Sequence, residues 1–220
     1  MAADPLSAGL LGGLEPTVEL APGLLLARSF FDAPAQRRLA ADVAQAAQAA
    51  PFFRPRMPCS GKPFSVLMTN CGELGWISDE SGYRYEPRHP ATGASFPPIP
   101  ALALSAWRAL AGAAPAPQAC LVNYYDAGAR MGLHRDADEG DFLAPVVSIS
   151  LGDDALFRYG GANRSDRTKS VRLRSGDVVV LGGPSRLAFH GIDRIYPATS
   201  GLLPQGGRLN LTLRRVSPPP

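Results

Sequence analysis

Cysteine is scarce in this chain, and the three present, Cys59, Cys71 and Cys120, are far apart and form no C-x-x-C pair. That excludes a disulfide framework and a cysteine zinc site, and it fits reduced thiols in a cytoplasmic protein. Long apolar runs are missing as well. None approaches the roughly 20 residues that a membrane-spanning helix needs, so no membrane partner is expected. The first cation is Arg28, so the basic start of a secretory leader is absent and export is not expected. Nor does charge of one sign dominate: a net charge of +3 and a pI near 8.9 permit contact with a polyanion without demanding one. Histidine is the remaining rarity, at three residues in 220.

What is there reads as a soluble globular protein, with 45% apolar and 19% charged residues. Residues 1–20, rich in Ala, Gly, Pro and Leu, form a loosely packed lead segment, and 21–220 a single domain, expected to be monomeric. Asp32 caps a helix through "QRRLAADVAQAAQAA", with Leu39, Val43 and Ala47 at helical spacing and Pro51 as its stop. A second helix, "ALALSAWRALAG", carries Leu104, Trp107 and Leu110 or Ala111 on one stripe, before Gly112 and Pro115. Between them, residues 51–100 are dense in Pro, Gly, Ser and aromatics, which predicts short strands and long loops. From Gln118 onward, "ACLVNYY", "PVVSISLG", "ALFRYGG", "SVRLRSGDVVVLGG", "RLAFHGID" and "RLNLTLRRV" are short β-rich runs bounded by turn residues. They are too closely spaced for crossover helices. The fold class is therefore mainly β, an antiparallel sandwich or jelly roll over 118–216 buttressed by N-terminal helices.

One of the three histidines sits in "MGLHRDADEG", with Asp136, Asp138 and Glu139 close behind it. In extended chain His134 and Asp136 face the same way and Arg135 the other. A divalent metal needs a further ligand, and His190 of "RLAFHGID", on another strand, supplies one. Two histidines and one carboxylate on one face of an ion leave the opposite face open, the arrangement of non-haem Fe(II) oxygenases. The pattern has a plainer reading: His134 a surface residue in an acidic turn, His190 a core histidine satisfied by the backbone. His89, in "PRHPATG", is read in that plainer way.

The last strand, "GRLNLTLRRV", puts Arg208, Asn210, Thr212 and Arg214 on one face and Leu209, Leu211 and Leu213 on the other. Arg208 and Arg214 lie roughly 20 Å apart at the backbone, and their inward-leaning side chains leave a gap of several ångströms. A small dicarboxylate fills such a gap with charge-assisted bonds at both ends. An edge strand with a solvated basic face would carry the same alternation.

Taken together, "LVNYY", "GARMGLHRDADE", "PVVSISLG", "FRYGG", "GDVVVLGGPSRLAFHGI" and "RLNLTLR" resemble the AlkB family of Fe(II)- and 2-oxoglutarate-dependent nucleic-acid dealkylases. Upstream, "SVLMTNCGELGW" and "GYRYEP" are similar to the substrate-binding cover of its bacterial members, which makes 51–100 a lid. The resemblance implies a double-stranded β-helix and iron held by His134, Asp136 and His190. It also implies 2-oxoglutarate against Asn123, Tyr125, Arg208, Asn210, Thr212 and Arg214, with O2 as the other co-substrate. The implied reaction decarboxylates 2-oxoglutarate to succinate and CO2 and hydroxylates an N-methyl carbon, which leaves as formaldehyde.

The implied substrate is alkylated DNA, single-stranded, or RNA, carrying N1-methyladenine or N3-methylcytosine. Such a base leaves the stack to react, and Trp76 offers it an aromatic face, with Tyr83 and Tyr85 reaching phosphate or base and Met68 beside them. Asp138 is placed to accept from the exocyclic amine and to favour cationic lesions, and the resemblance puts Arg164 near the base. Arg158, Arg164, Arg167, Lys169, Arg172 and Arg174 face a single acid, Asp166, which suits a phosphate backbone or a solvated strand face equally. Departures from the bacterial pattern are Glu73, Tyr124 and Arg135, and Glu139, with no assigned chemistry, is left to solvent. An oxygenase of the same core acting on a small molecule or protein side chain, and a cupin-like metal-binding domain without turnover, are the alternatives.

Overall fold

Alternation along the strands decides the layering. On the segment 208–214 the leucines pack into one apolar cluster with the two helices, while the polar set points the opposite way, into a sandwich interior. The computed structural model describes residues 17–218. The elements in chain order begin with β1 (Val18–Ala21), β2 (Leu24–Ala27), α1 (Ala33–Ala49), β3 (Leu67–Gly72), β4 (Gly75–Asp79), β5 (Gly82–Glu86) and α2 (Ala101–Leu110). Then follow β6 (Ala119–Tyr125), β7 (Met131–His134), β8 (Val146–Gly152), β9 (Asp154–Tyr159), β10 (Lys169–Leu173) and β11 (Val178–Leu181). A 3-10 turn (Gly183–Ser185), β12 (His190–Tyr196) and β13 (Arg208–Arg214) complete the chain.

Seven strands form the larger sheet, in the order β1-β2-β11-β8-β13-β6-β3, and four form the smaller one, β10-β9-β12-β7. Every pairing is antiparallel, which makes the core the expected double-stranded β-helix. The outer face of the larger sheet, with Val122, Val147, Ile149, Val178, Val180 and Leu211, is covered by α1 and α2 through Leu39, Val43, Ala103 and Trp107. Its inner face and the smaller sheet share a second cluster of Leu24, Leu26, Leu121, Phe157, Leu173, Val179, Leu181 and Ile192. A separate hairpin, β4–β5, stands beside this sandwich.

The helices form where their caps and stripes predict. The Asp32 carboxylate accepts from Ala35 N, Pro34 occupies the first turn, and Ala35, Leu39, Val43 and Ala46 are buried. In α2 the buried stripe is Ala103, Ala106 and Trp107, with Leu104 and Leu110 only half-buried. Three expectations change. The lead segment expected over 1–20 lies outside the described residues up to 16, and Val18 to Leu20 belong to β1. The run "RLAFHGID" becomes a strand only at His190. Before it, Arg186 N bonds Gly183 O at 3.1 Å and Ala188 N bonds Ser185 O at 3.1 Å in a tight turn. And β13 is no edge strand: it lies between β8 and β6 with all seven residues buried.

Asp177, just before β11 and 1% exposed, ties the N-terminal hairpin to the core. Its carboxylate accepts from Arg28 Nη1 at 2.6 Å, Ser29 N at 3.0 Å and Arg174 N at 2.9 Å. Asp177→Ala strands a partly buried guanidinium and two backbone donors, so it should lower unfolding free energy by about 3 kcal/mol. Urea denaturation monitored by fluorescence measures this.

Candidate active site

The register of the smaller sheet brings distant residues together: His190 on β12 pairs directly across from His134 on β7. Their ring centroids are 4.6 Å apart. Each Nδ1 lies 2.9 Å from a backbone carbonyl, Gly132 O for His134 and Ala188 O for His190. A carbonyl only accepts, so Nδ1 carries a proton in both rings and Nε2 is the atom left to meet a metal. Asp136, two residues beyond β7, brings its Oδ2 to 3.9 Å from His190 Nε2. The ligand atoms of His134, Asp136 and His190 all lie within 4.8 Å of one another, a spacing that a single metal ion can bridge.

Electrostatics prepare these groups to bind a cation. Burial and the neighbouring His134 push the His190 imidazole down to about 4, so it is neutral at physiological pH. Burial alone would push the Asp136 carboxyl up, but Arg214, with the two histidines and Arg186 around it, holds it well below the usual carboxylate range. Arg214 Nη2 donates to Asp136 Oδ1 at 2.8 Å, which leaves Oδ2 buried with no hydrogen-bond partner among the described residues. A buried carboxylate oxygen facing two imidazole lone pairs fits a divalent metal.

A cavity of about 360 Å³ opens from this triad. Its inner wall is β13, where Arg208 is 1% exposed and has no carboxylate partner among the described residues. Arg208 Nη2 donates to Ser150 Oγ at 3.0 Å, and its guanidinium lies 5.3 Å from the Tyr125 ring centroid. Its Nε and Nη1, and Asn123 Oδ1 beside them, are buried without a partner. Burial pushes the Arg208 guanidinium down, opposed by Tyr125. An unpaired cation at one end of the cavity and the triad at the other fit a metal-chelating dicarboxylate. Asn210 and Thr212 also line the cavity, yet they bond within the protein. Asn210 Nδ2 donates to Ser148 Oγ at 2.7 Å and to Ile149 O at 3.1 Å, while Thr212 donates to Asn210 Oδ1 at 3.0 Å.

The outer wall is aromatic. Trp76 on β4 and Tyr83 on β5 stack at 5.4 Å with planes 21° apart, and Trp76 Nε1 donates to Asp138 Oδ2 at 2.8 Å. Met68 forms part of the floor, and Arg164 stands at the rim with Nη1 on Leu133 O at 2.9 Å. Arg135 and Arg164 both lie within 6 Å of the Phe189 ring, at 5.7 and 5.8 Å. Every residue singled out from sequence for metal, co-substrate or substrate therefore lines this one cavity, except Tyr85. The Tyr85 hydroxyl donates to Glu139 instead, and the phenol is held away from the cavity. Glu139, read from sequence as left to solvent, is buried at 5% exposure. Part of the basic run is also spoken for: Arg158 pairs with Asp193 at 3.0 Å and Arg172 with Asp154 at 2.8 Å.

Sequence reasoning assigned no role to Arg186, which is 3% exposed and reaches three groups. It donates to Asp136 O at 2.8 Å, Ala144 O at 2.9 Å and Glu139 Oε2 at 3.1 Å, so it pins both ends of the connection after β7. Its local sequence, in the turn just upstream of His190, carries no sign of these partners. Tyr124 faces the other way, donating to Gly206 O at 3.2 Å, and Glu73 is exposed at the β3–β4 turn. His89 is the satisfied core histidine expected, with Nε2 2.8 Å from Pro51 O.

The cavity, the sandwich and the triad together define a class. Residues 23–214 match the 2OG-Fe(II) oxygenase superfamily, and the protein is an Fe(II)- and 2-oxoglutarate-dependent dioxygenase. The cupin-like domain without turnover is thereby set aside. The chain is 54% identical over 201 residues to an alpha-ketoglutarate-dependent dioxygenase AlkB homolog of Caulobacter vibrioides, covering 91% of this chain and 88% of that one. It is 42% identical to the alpha-ketoglutarate-dependent dioxygenase AlkB of Escherichia coli, over 94% and 97% of the two chains. A shorter stretch, 44% of this chain and 24% of the other, is 44% identical to a DNA N(6)-methyladenine demethylase, ALKBH1D, of Arabidopsis thaliana. Among solved structures, OsALKBH1 superposes with a TM-score of 0.75 at 33% identity, over 91% of this chain and all of that one. The chain belongs to the AlkB family.

Gly191 sets how closely the two histidine strands approach. A Cβ there would lie 2.6 Å from Met131 O and 2.9 Å from Gly132 O, both backbone atoms of β7. Gly191→Ala should spread β12 from β7 and lower metal affinity on the order of 10–100-fold, the range for changes that disturb ligand orientation. Anaerobic titration with Fe(II) or Mn(II) reads the change, and the circular dichroism spectrum should stay unaltered.

Proposed function

We propose that the protein oxidatively dealkylates nucleic-acid bases, with N1-methyladenine and N3-methylcytosine in single-stranded DNA, or in RNA, as substrates. The reading rests on one observation: the metal-binding triad, an unpaired buried Arg208 and a Trp76–Tyr83 stack tied to an acid line the same cavity. In this reading His134, Asp136 and His190 hold Fe(II). Arg208, with the Tyr125 ring beside it, receives the distal carboxylate of 2-oxoglutarate, Arg214 flanks the metal-proximal end, and Asn123 lies between them. Asn210 and Thr212 act by fixing Asn123 and the wall around Ser148 rather than by direct charge. When bound, iron with 2-oxoglutarate and O2 would supply the oxidation: O2 is the oxidant, one oxygen atom going to succinate as CO2 leaves and the other to the N-methyl carbon, which departs as formaldehyde.

The chain's own part is to bind, orient and shield. The edge-to-face contact of Phe64 on Trp76, at 6.3 Å, and the bond from Trp76 to Asp138 hold the indole upright over the cavity. An extruded base stacked on that indole presents its alkyl group toward the triad and its exocyclic amine toward Asp138. A carboxylate there favours a cationic lesion over a neutral base of the same shape. Arg135 and Arg164 at the rim offer guanidinium groups to the backbone phosphates. The name of the Arabidopsis relative, a DNA demethylase, supports a nucleic-acid substrate.

The test loads the protein anaerobically with Fe(II) and 2-oxoglutarate, then admits oxygen with a single-stranded oligonucleotide carrying N1-methyladenine. Formaldehyde and unmodified adenine in step with succinate are expected. Succinate without formaldehyde from any alkylated oligonucleotide, DNA or RNA, would refute the assignment and favour a small-molecule or protein substrate. Asp138→Asn keeps an acceptor for Trp76 but removes the charge. It should slow repair of N1-methyladenine roughly tenfold relative to a neutral lesion such as N1-methylguanine, with the KM for 2-oxoglutarate unchanged.

A further inference from the structure

Glu139 is a buried carboxylate that touches neither the cavity nor the metal ligands' free lone pairs, yet three separate parts of the chain donate to it or pair with it. From the β4–β5 hairpin comes the Tyr85 hydroxyl, bonded to Oε1. From the turn before β12 comes Arg186, whose Nη2 donates to Oε2 at 3.1 Å. From the end of β13 comes Arg214, whose Nε lies 3.3 Å from Oε1 while its Nη2 bonds Asp136. Arg186 and Arg214 balance Asp136 and Glu139, so the buried cluster is neutral as a set and each charge depends on the others.

The hairpin has few other ties to the sandwich wall across the cavity. Arg84 is occupied within the hairpin by Asp79 and Glu86, at 2.8 Å each, and Tyr83 is 48% exposed. Across that gap the hairpin's polar side chains make two bonds: Trp76 to Asp138 at the exposed rim, and Tyr85 to Glu139 in the interior. Only the second leads on to Arg214.

We propose that Glu139 is a positioning residue that couples the order of the β4–β5 hairpin to the co-substrate site through Arg214. The inference rests on the reading of Arg214 as flanking 2-oxoglutarate. A carboxylate on the cavity side of Arg214 fixes the plane of its guanidinium. Held in that plane, the guanidinium turns its Nε–H, which lies 3.3 Å from Glu139 Oε1 and has no hydrogen-bond partner among the described residues, onto Glu139, and Glu139 in turn holds the Tyr85 hydroxyl. The hairpin that carries Trp76 and Tyr83 is thereby steadied when 2-oxoglutarate is in place, so that the base platform forms over a loaded site. Linkage makes the coupling reciprocal: a steadied hairpin tightens 2-oxoglutarate binding by the same factor, a few-fold for this single tie.

The test uses the full chain with Mn(II) in place of iron and follows hydrogen exchange of the amides from Gly75 to Glu86, with and without 2-oxoglutarate. In the wild type 2-oxoglutarate should slow that exchange several-fold. Tyr85→Phe breaks the tie on the hairpin side alone. It should keep 2-oxoglutarate binding within a few-fold and abolish the exchange response. In the iron enzyme it should also raise KM for the alkylated oligonucleotide more than it lowers kcat, and release more succinate per formaldehyde. Glu139→Gln keeps the shape and removes the charge; it should lose the exchange response and weaken 2-oxoglutarate binding about tenfold, because Arg214 is released as well. A hairpin response that persists in Tyr85→Phe, or is absent from a wild type that binds 2-oxoglutarate, would overturn the coupling and leave the co-substrate assignment standing. Failure of the wild type to bind 2-oxoglutarate at all would overturn both.

Discussion

Two guanidinium groups lie inside a β-sandwich, on the inner face of its most enclosed strand, and most of the site is arranged around their charge. A buried cation without a counter-charge is among the costliest things a fold can contain. Arg214 is met by Asp136 and Glu139. Among the described residues Arg208 is met only by a serine hydroxyl and an aromatic face. The difference divides the labour between them. Arg214 is built into the protein's own network and orients the metal carboxylate. In the proposed reading Arg208 keeps its charge for the far carboxylate of 2-oxoglutarate, the co-substrate that the enzyme class requires.

That constraint also explains the neighbouring layers. Because the polar face of β13 is turned inward, its leucine face must be covered from outside, and α1 and α2 supply the cover. The segment joining β7 to β8 has no regular structure, yet it carries Asp136, Asp138 and Glu139. A loop this rich in acids would move if it were solvated. Arg186 holds it by bonds to backbone at both ends, and Gly140 N adds a bond to Val216 O at 2.7 Å. The carboxylate of Asp136 therefore sits in a fixed place for a metal, as preorganised sites require.

Much of this was legible in the residues. The strict alternation of "RLNLTLR" put the two arginines on one face, and the spacing of His134 and Asp136 put both on one side of an extended strand. Burial decided the case, since the same alternation would suit an exposed edge, and only the pairing of β13 between β8 and β6 removes that choice. The third residue of the triad was identifiable by type, but the start of its strand was not, because Gly182, Gly183, Pro184 and Ser185 mark a turn without showing that it runs on through Arg186 to Ala188. Tyr85 and Glu139 were misplaced for one reason. Period-two reasoning assigns Tyr83 and Tyr85 to the same face, and local sequence does not show that Glu139 meets Tyr85 and Arg186 from distant parts of the chain. Arg186 was silent because a buried arginine resembles a surface one until its partners are known.

The central claim is that the unpaired charge of Arg208 selects a co-substrate with a second carboxylate. Thermal unfolding in Mn(II) reads this directly, since a ligand that binds the folded state raises Tm by an amount that grows with the logarithm of its concentration over Kd. Two ligands decide it: 2-oxoglutarate, and 2-oxobutyrate, which keeps the keto-acid end but lacks the distal carboxylate. The account predicts a clear rise in Tm with 2-oxoglutarate, little or none with 2-oxobutyrate, and loss of that difference in Arg208→Met. Equal stabilisation of the wild type by both ligands would contradict it.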